Sequence, residues 1–187
     1  LSQHPQYKVY KVDIGLEGKR CYDVKPQKGP EEYEENVPSM KTFFRGIKGE
    51  TLFIVGGSGS ISAMCLRIME QIRDKCELSV LYVRPDTSLL SKNKSLHESA
   101  TFNILQQFAR SGLLKVLYLA SNINLENILG DVPIIGYNNK INELIVSTVH
   151  MINVFKNSEP VMGKIEDPAE ASRIATFSIS NIEGNEE

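Results

Sequence analysis

Residues 51–62 combine the residue types that are best suited to binding a ligand: Thr-Leu-Phe-Ile-Val-Gly-Gly-Ser-Gly-Ser-Ile-Ser. Leu52–Val55 is typical of a buried strand, Gly56, Gly57 and Gly59 follow it, and an amphipathic helix pattern comes next. Glycines let the backbone approach an anion closely, and the first amides of a helix point towards it. The run therefore predicts a phosphate site, although such a turn can also be glycine-rich for packing alone.

The polar side chains near this run allow two interpretations each. Ser58 and Ser60 could donate hydrogen bonds to phosphates, or they could cap the following helix by accepting from its free amides. Lys92 and Lys94, in a later loop, could pair with a phosphate as point charges, or they could be solvated surface lysines. His97 and His150 lie on helix patterns without the spacing of a metal site or a catalytic triad, which favours structural or surface roles.

Composition excludes several classes of protein. The 187 residues are 41% hydrophobic and 24% charged, which is ordinary for a globular domain, and the net charge is −2. That balance provides no electrostatic drive towards nucleic acid, and no apolar run reaches the roughly 20 residues needed for membrane insertion. The first residues lack the features of a signal peptide, and the odd number of cysteines (Cys21, Cys65 and Cys76) predicts free thiols. We therefore expect a cytoplasmic protein, with Cys65 as a small core residue.

The order of elements predicts the fold class. Apolar runs at 51–55, 78–83 and 113–119 are predicted strands, and helix patterns follow them, including a long one over 138–155. This β-α-β-α-β order predicts an α/β fold of the three-layer, Rossmann-like type, with a mostly parallel sheet and helices on both faces. In such sheets ligands gather at the carboxyl ends of the strands, which places the loops 56–60, 85–94 and 120–124 on one edge.

The rest of the chain is predicted in less detail. Short strands are expected at 7–12 and 20–24, a helix beginning at Pro30, and a helical segment over 40–47. A nucleotide-binding-type domain is assigned to 1–158. The remaining 159–187 are predicted to hold a catalytic-loop-like segment, one strand at 174–179 and a frayed tail.

Four motifs in the right order resemble the GTPase domain of the tubulin/FtsZ superfamily. Val55–Ile61 resembles the glycine-rich signature loop of that family, and Val83–Pro85 resembles the element that closes its next strand. Asn142–Leu144 is similar to the start of the family's central helix, and Glu166–Glu170 is similar to its D-x-x-D catalytic loop. The resemblance covers roughly residues 7–175.

The resemblance implies a guanine-nucleotide-binding protein that assembles with itself into an oligomer or filament, as cytoskeletal GTPases do. GTP or GDP would be the ligand, with Mg²⁺ as a candidate accompanying ion. The resemblance assigns the phosphates to Gly56, Gly57, Ser58, Gly59 and Ser60, with Pro85 beside them, and the base to Asn142. Asp167 and Glu170 of one subunit would complete the nucleotide site of the next, so that GTP hydrolysis requires contact between subunits.

Departures from the family pattern keep other functions open. Val55 and Ile61 stand where the family has glycines, and no strand with its own glycine-rich loop precedes residue 7. The alternative is a non-catalytic structural or assembly protein on the same fold, with a decayed nucleotide site. On that view Asn142 is an exposed helix residue, and Asp167 and Glu170 are acids at a helix start. A third possibility is an unrelated Rossmann-like domain that binds another phosphate-bearing ligand.

Overall fold

A computed structural model describes residues 1, 4–130, 136–159, 161 and 173–176. The helices and strands follow one another in alternation over most of this length, as a parallel sheet requires. In chain order they are β1 (Lys11–Asp13), β2 (Cys21–Asp23), α1 (Pro30–Glu35), β3 (Gly49–Gly56), α2 (Cys65–Ile72), β4 (Cys76–Arg84), α3 (Lys92–Arg110), β5 (Leu117–Ser121), α4 (Asn122–Leu129), α5 (Tyr137–Asn157) and β6 (Ile174–Thr176). Short 3₁₀ helices cover Phe43–Gly46, Ser60–Met64, Arg73–Lys75 and Thr87–Leu89.

The main sheet has four strands in the order β3-β4-β5-β6, and all its pairings are parallel. Gly56 pairs with Val83, and Arg84 pairs with Ser121, so the carboxyl ends of three strands meet at one edge. The prediction that the loops after these strands share an edge is therefore confirmed. β1 and β2 form a separate parallel pair.

Helices cover both faces of this sheet, which confirms the three-layer α/β fold. On one face, alternate residues of β4 (Leu78, Val80 and Tyr82) join a core with residues of α2 and α3. On the other face, Leu81 packs in a second core with residues of α4 and α5, including Leu125, Ile141, Ile145 and Val149. The alternating side chains of β4 therefore pack against the apolar faces of α2 on one side of the sheet and of α5 on the other.

The apolar run at 113–119 is divided between two kinds of structure. The amides of Leu113 and Leu114 both donate to the Phe108 carbonyl at the end of α3, at 3.0 and 3.2 Å. Gly112, with φ +79°, turns the chain there, and Leu114 is buried. These leucines therefore close a helix, as apolar residues after a glycine cap often do, and the strand begins only at Leu117.

Other boundaries also differ from the sequence prediction. The predicted helical segment over 40–47 is a single 3₁₀ turn at Phe43–Gly46, and the predicted strand at 7–12 is replaced by the shorter β1 at Lys11–Asp13, which overlaps it by two residues. From the predicted strand at 174–179, the structure describes Ile174–Thr176, which extends the main sheet beside β5. Within the described ranges, no helix is both long and apolar enough to cross a membrane.

Candidate functional site

The glycine-serine loop is held tightly against the neighbouring strand. The Gly57 amide donates to the Val83 carbonyl at 2.9 Å, so this amide extends the sheet and does not face a ligand. A Cβ atom built on Gly57 would collide with the Tyr82 hydroxyl and lie 2.8 Å from Pro85 Cδ. Gly57 has no positive φ, so glycine is required here for space rather than for backbone conformation.

The loop leads directly into the Ser60–Met64 3₁₀ helix, which continues as α2. Gly59 is the residue that precedes this helix, and no side-chain hydrogen bond caps it. The interpretation of Ser58 and Ser60 as helix caps is therefore wrong, because the capping position has no side chain. Both serines instead line a cavity beside the loop.

That cavity has a volume of about 100 Å³ and lies between the loop, the first half of α3 and α1. Typical pockets for whole small molecules measure roughly 300–1,000 Å³, so this cavity suits one polar group of a ligand. Tyr82, from β4, is one of its lining residues. The polar residues that line it are Ser58, Ser60, Ser62, Thr101, Tyr82, Lys94, His97, Glu34 and Glu98.

The charges around the cavity are of both signs. Lys94 and His97 are the basic residues of its lining, and both lie on α3. Glu34, on α1, and Glu98, on α3, are the acidic ones. His97 Nε2 lies 3.0 Å from the Glu31 carboxylate, which belongs to α1. A backbone hydrogen bond, and then the one with His97, hold the pKa of Glu31 below its usual range.

A buried polar network includes two residues of the cavity lining, Tyr82 and Glu98. Glu98 is 1% exposed, and its Oε1 atom accepts from Arg84 Nε at 2.9 Å and from the Tyr82 hydroxyl at 3.4 Å. The Arg84 guanidinium carbon lies 4.4 Å from the centre of the Phe102 ring, in cation–π geometry. Burial, and then the Glu98 carboxylate, raise the pKa of the Tyr82 hydroxyl well above its usual range, so this hydroxyl stays protonated as a donor.

The structure brings together part of the predicted phosphate site. Gly57, Ser58, Gly59 and Ser60 line the cavity, and Pro85 lies against Gly57. Gly56 is exposed at the end of β3. These residues share one edge of the sheet because the loops follow adjacent parallel strands.

The remaining predicted residues are not part of this arrangement. Asn142 is an exposed residue of α5, which packs against the opposite face of the sheet, and it does not line the cavity. Asp167 and Glu170 lie outside the described residues, so their predicted catalytic role stays a prediction.

Sequence reasoning missed Glu98. The residues buried along α3 are Glu98, Leu105 and Ala109. Glu98 stands seven residues before Leu105, so a single acid in register with the apolar stripe was the available signal. A buried carboxylate requires a partner, and Arg84 at the end of the preceding strand provides it.

A second polar residue at the same edge also escaped the sequence analysis. The side-chain oxygen of Asn122, at the start of α4, is buried and has no hydrogen-bond partner among the described residues. Asn122 follows Ser121, which pairs with Arg84 across the sheet. The carboxyl edge thus carries unused hydrogen-bonding capacity beyond the cavity itself.

The described residues contain no group of three or more His, Cys, Asp or Glu side chains that could hold a metal ion. Glu34 and Glu98, the two carboxylates that line the cavity, do not form a metal site together, because Glu98 is already paired with Arg84. Among the described residues, these donors therefore do not form a site that would hold Mg²⁺ by protein groups alone, and no step of the proposed function depends on this ion.

Comparisons with known proteins add no functional assignment. No family model matches the chain, and no curated protein or solved structure matches it. What the site can bind is therefore inferred from its own residues and from the motifs that surround it.

Proposed function

We propose that this chain is a divergent tubulin/FtsZ-like domain that binds a guanine nucleotide and assembles with itself. The observation that supports this proposal most is the polar cavity lined by Gly57–Ser60 at the carboxyl edge of a parallel sheet. Ligands of open α/β folds bind at this edge, and small residues there leave room for a phosphate.

The size of the cavity indicates which part of a nucleotide it would hold. About 100 Å³ accommodates a phosphate group but not a base and ribose. The hydroxyls of Ser58 and Ser60 would donate to the phosphate oxygens, and Lys94 would provide a positive charge. The rest of the nucleotide would extend over the rim, outside the cavity.

The roles of three residues in this proposal rest on the resemblance alone. Asn142 would contact the base, and Asp167 and Glu170 would orient the attacking water in the nucleotide site of a neighbouring subunit. Hydrolysis would then depend on assembly, because neither carboxylate would belong to the subunit that holds the nucleotide.

A non-catalytic assembly domain is the second candidate, and specific observations favour it. The Gly57 amide is engaged by Val83, and Val55 presents a buried side chain where the family has a glycine. Two carboxylates, Glu34 and Glu98, also line the cavity that a phosphate would enter. Each of these features weakens binding of an anion.

Nucleotide binding by the purified chain decides between the candidates. Titration calorimetry with GTP and with ATP should show binding of GTP at millimolar concentration or below and weaker binding of ATP. Lys94→Gln should weaken GTP binding by about fivefold to tenfold, the effect of losing one partly exposed charge contact. Lys92→Gln is the matched control, because Lys92 begins the same helix but does not line the cavity.

Two results would contradict parts of the proposal. Absence of GTP binding at millimolar concentration removes the nucleotide role and leaves the assembly domain. If GTP binds, phosphate release should depend on protein concentration, and Asp167→Ala should abolish it without loss of binding. A wild-type chain that binds GTP but releases no phosphate would support the non-catalytic function.

A further inference from the structure

We propose that α1 (Pro30–Glu35) is an autoinhibitory element, whose Glu31 and Glu34 carboxylates oppose entry of an anion into the cavity. This inference rests on the proposed function, because it concerns the phosphate end of the same site. It adds an effect on ligand affinity for a helix that no motif of the sequence connects with ligand binding.

The position of α1 is fixed by its own packing. Tyr33, in the middle of this short helix, is 3% exposed and belongs to the main core. Its hydroxyl accepts a hydrogen bond from the Gln27 amide at 3.0 Å, which ties the helix to the preceding loop. Pro30 and Glu34 are thereby held in the wall of the cavity.

The second carboxylate acts on a basic residue of the site. Glu31 Oε1 lies 3.0 Å from His97 Nε2, and His97 lines the cavity from α3. A phosphate that used His97 as a partner would have to compete with Glu31 for the same nitrogen. Because this carboxylate is mostly exposed, the competition is modest and should weaken with added salt.

The charge balance of the cavity shows why α1 matters. Glu98 is compensated by Arg84, and His97 is occupied by Glu31, so Lys94 and Glu34 are left with opposite charges. The cavity therefore has little net positive charge while α1 is in place. Removing the Glu34 charge leaves Lys94 without an opposing charge, and removing the Glu31 carboxylate frees His97 Nε2 to interact with a ligand.

The test compares three isosteric substitutions on one helix. Glu31→Gln and Glu34→Gln should each tighten GTP binding by about threefold to tenfold in low salt, as expected for removing one like charge close to a polyphosphate. Glu35→Gln is the matched control, since Glu35 is exposed on the same helix and does not line the cavity. Inorganic triphosphate, as a second probe, should respond in the same way as GTP.

A second background separates the contact with His97 from a general charge effect. In a His97→Gln chain, Glu31→Gln should increase GTP affinity less than it does in the wild type. Glu34→Gln should increase GTP affinity by the same factor in both chains. Thermal melting of each variant verifies that the fold is retained. A gain from Glu35→Gln equal to that from Glu31→Gln would overturn the local role of α1.

The outcomes distinguish this inference from the proposed function. If the wild type binds GTP and neither Glu31→Gln nor Glu34→Gln binds it more tightly, the autoinhibitory role is wrong while nucleotide binding stands. If only the variants bind, the inhibitory effect of the α1 carboxylates is supported, while the nucleotide role of the wild-type chain is contradicted. If no variant binds GTP or triphosphate, the proposed function fails and the inference fails with it.

Discussion

Arg84 and Glu98 form an ion pair in which only one partner is exposed to solvent. The Arg84 side chain is 39% exposed and that of Glu98 is 0% exposed, with 2.9 Å between Nε and Oε1. The pair joins the end of β4 to α3, and Glu98 is one of the residues that line the cavity. The two side chains therefore respond differently to loss of their partner. Water can hydrate Arg84 when Glu98 is removed, but the buried Glu98 carboxylate would be left without a partner when Arg84 is removed.

We expect this asymmetry to appear in stability measurements. Arg84→Met should reduce the free energy of unfolding by about 3 kcal/mol, because it leaves a buried carboxylate without its cation. Glu98→Gln should cost only about 1–2 kcal/mol, since the amide keeps a hydrogen bond and water reaches Arg84. Urea unfolding measures both values.

The control for this prediction is an ion pair on the surface. Arg67→Met removes an arginine from an exposed pair with Glu70 and should cost under about 0.5 kcal/mol. A larger loss from Glu98→Gln than from Arg84→Met would contradict this interpretation.

Replacing the adjacent residues Gly56 and Gly57 with alanine should have different effects on stability. Gly57→Ala places a Cβ atom against the Tyr82 hydroxyl and 2.8 Å from Pro85 Cδ, so the loop or the Tyr82 ring must move. Overpacking of this kind costs roughly 1–3 kcal/mol. Gly56→Ala meets no atom within 4 Å and should leave the melting temperature nearly unchanged. Thermal melts of the two variants compare the sites directly, and equal stability of both would show that the loop is free to move.

Lys115 should make stability depend on pH at the opposite end of the sheet. It bridges Glu50 and Glu77, which are direct partners on β3 and β4. Lys115→Gln should cost about 0.5–1 kcal/mol at pH 7, because the two carboxylates then face each other without a cation.

The sign of the pH effect follows from Glu50. The hydrogen bond from Lys115 holds the pKa of Glu50 below its usual range in the folded state. Its contribution is therefore complete above the unfolded pKa of about 4.3 and is lost as pH falls through the lower folded value. Urea unfolding at pH 7 and pH 3 should show the gap between wild type and Lys115→Gln shrinking in acid. If the difference in unfolding free energy between the two chains were the same at pH 7 and pH 3, the Glu50 contribution would be excluded.

The three cysteines should differ in their reactivity. Cys65 is 2% exposed, and burial raises the pKa of its thiol to about 12, whereas Cys21 and Cys76 are only partly buried. Because the thiolate is the reactive form, Cys65 should react with Ellman's reagent at pH 8 only after unfolding. Titration of the native and the denatured chain should differ by one thiol. Cys65→Ala removes that difference, and rapid reaction of three native thiols would contradict the burial.

The long apolar runs and the glycine-serine turn could be recognised without coordinates. β4 is an inner strand of the sheet and β3 is its neighbour at the edge, and each contains an apolar run, so their existence follows from composition. The extra length of β3 at Gly49 and Glu50 could not be predicted, because these polar residues join the strand only through pairing with Cys76 and Glu77. Leu113 and Leu114 were mistaken for strand residues because an apolar pair at a helix end has the same local composition as a strand start.

The amino-acid sequence by itself determined the α/β class, the direction of the sheet and the edge on which the candidate site lies, because local periodicity and the order of elements specify them. Tertiary structure alone decided what surrounds the glycine-serine loop. Glu31 reaches His97 across 66 residues of chain, and α1 enters the cavity wall through the burial of Tyr33. Contacts between distant segments depend on how whole elements pack, and no local pattern of residues records that packing.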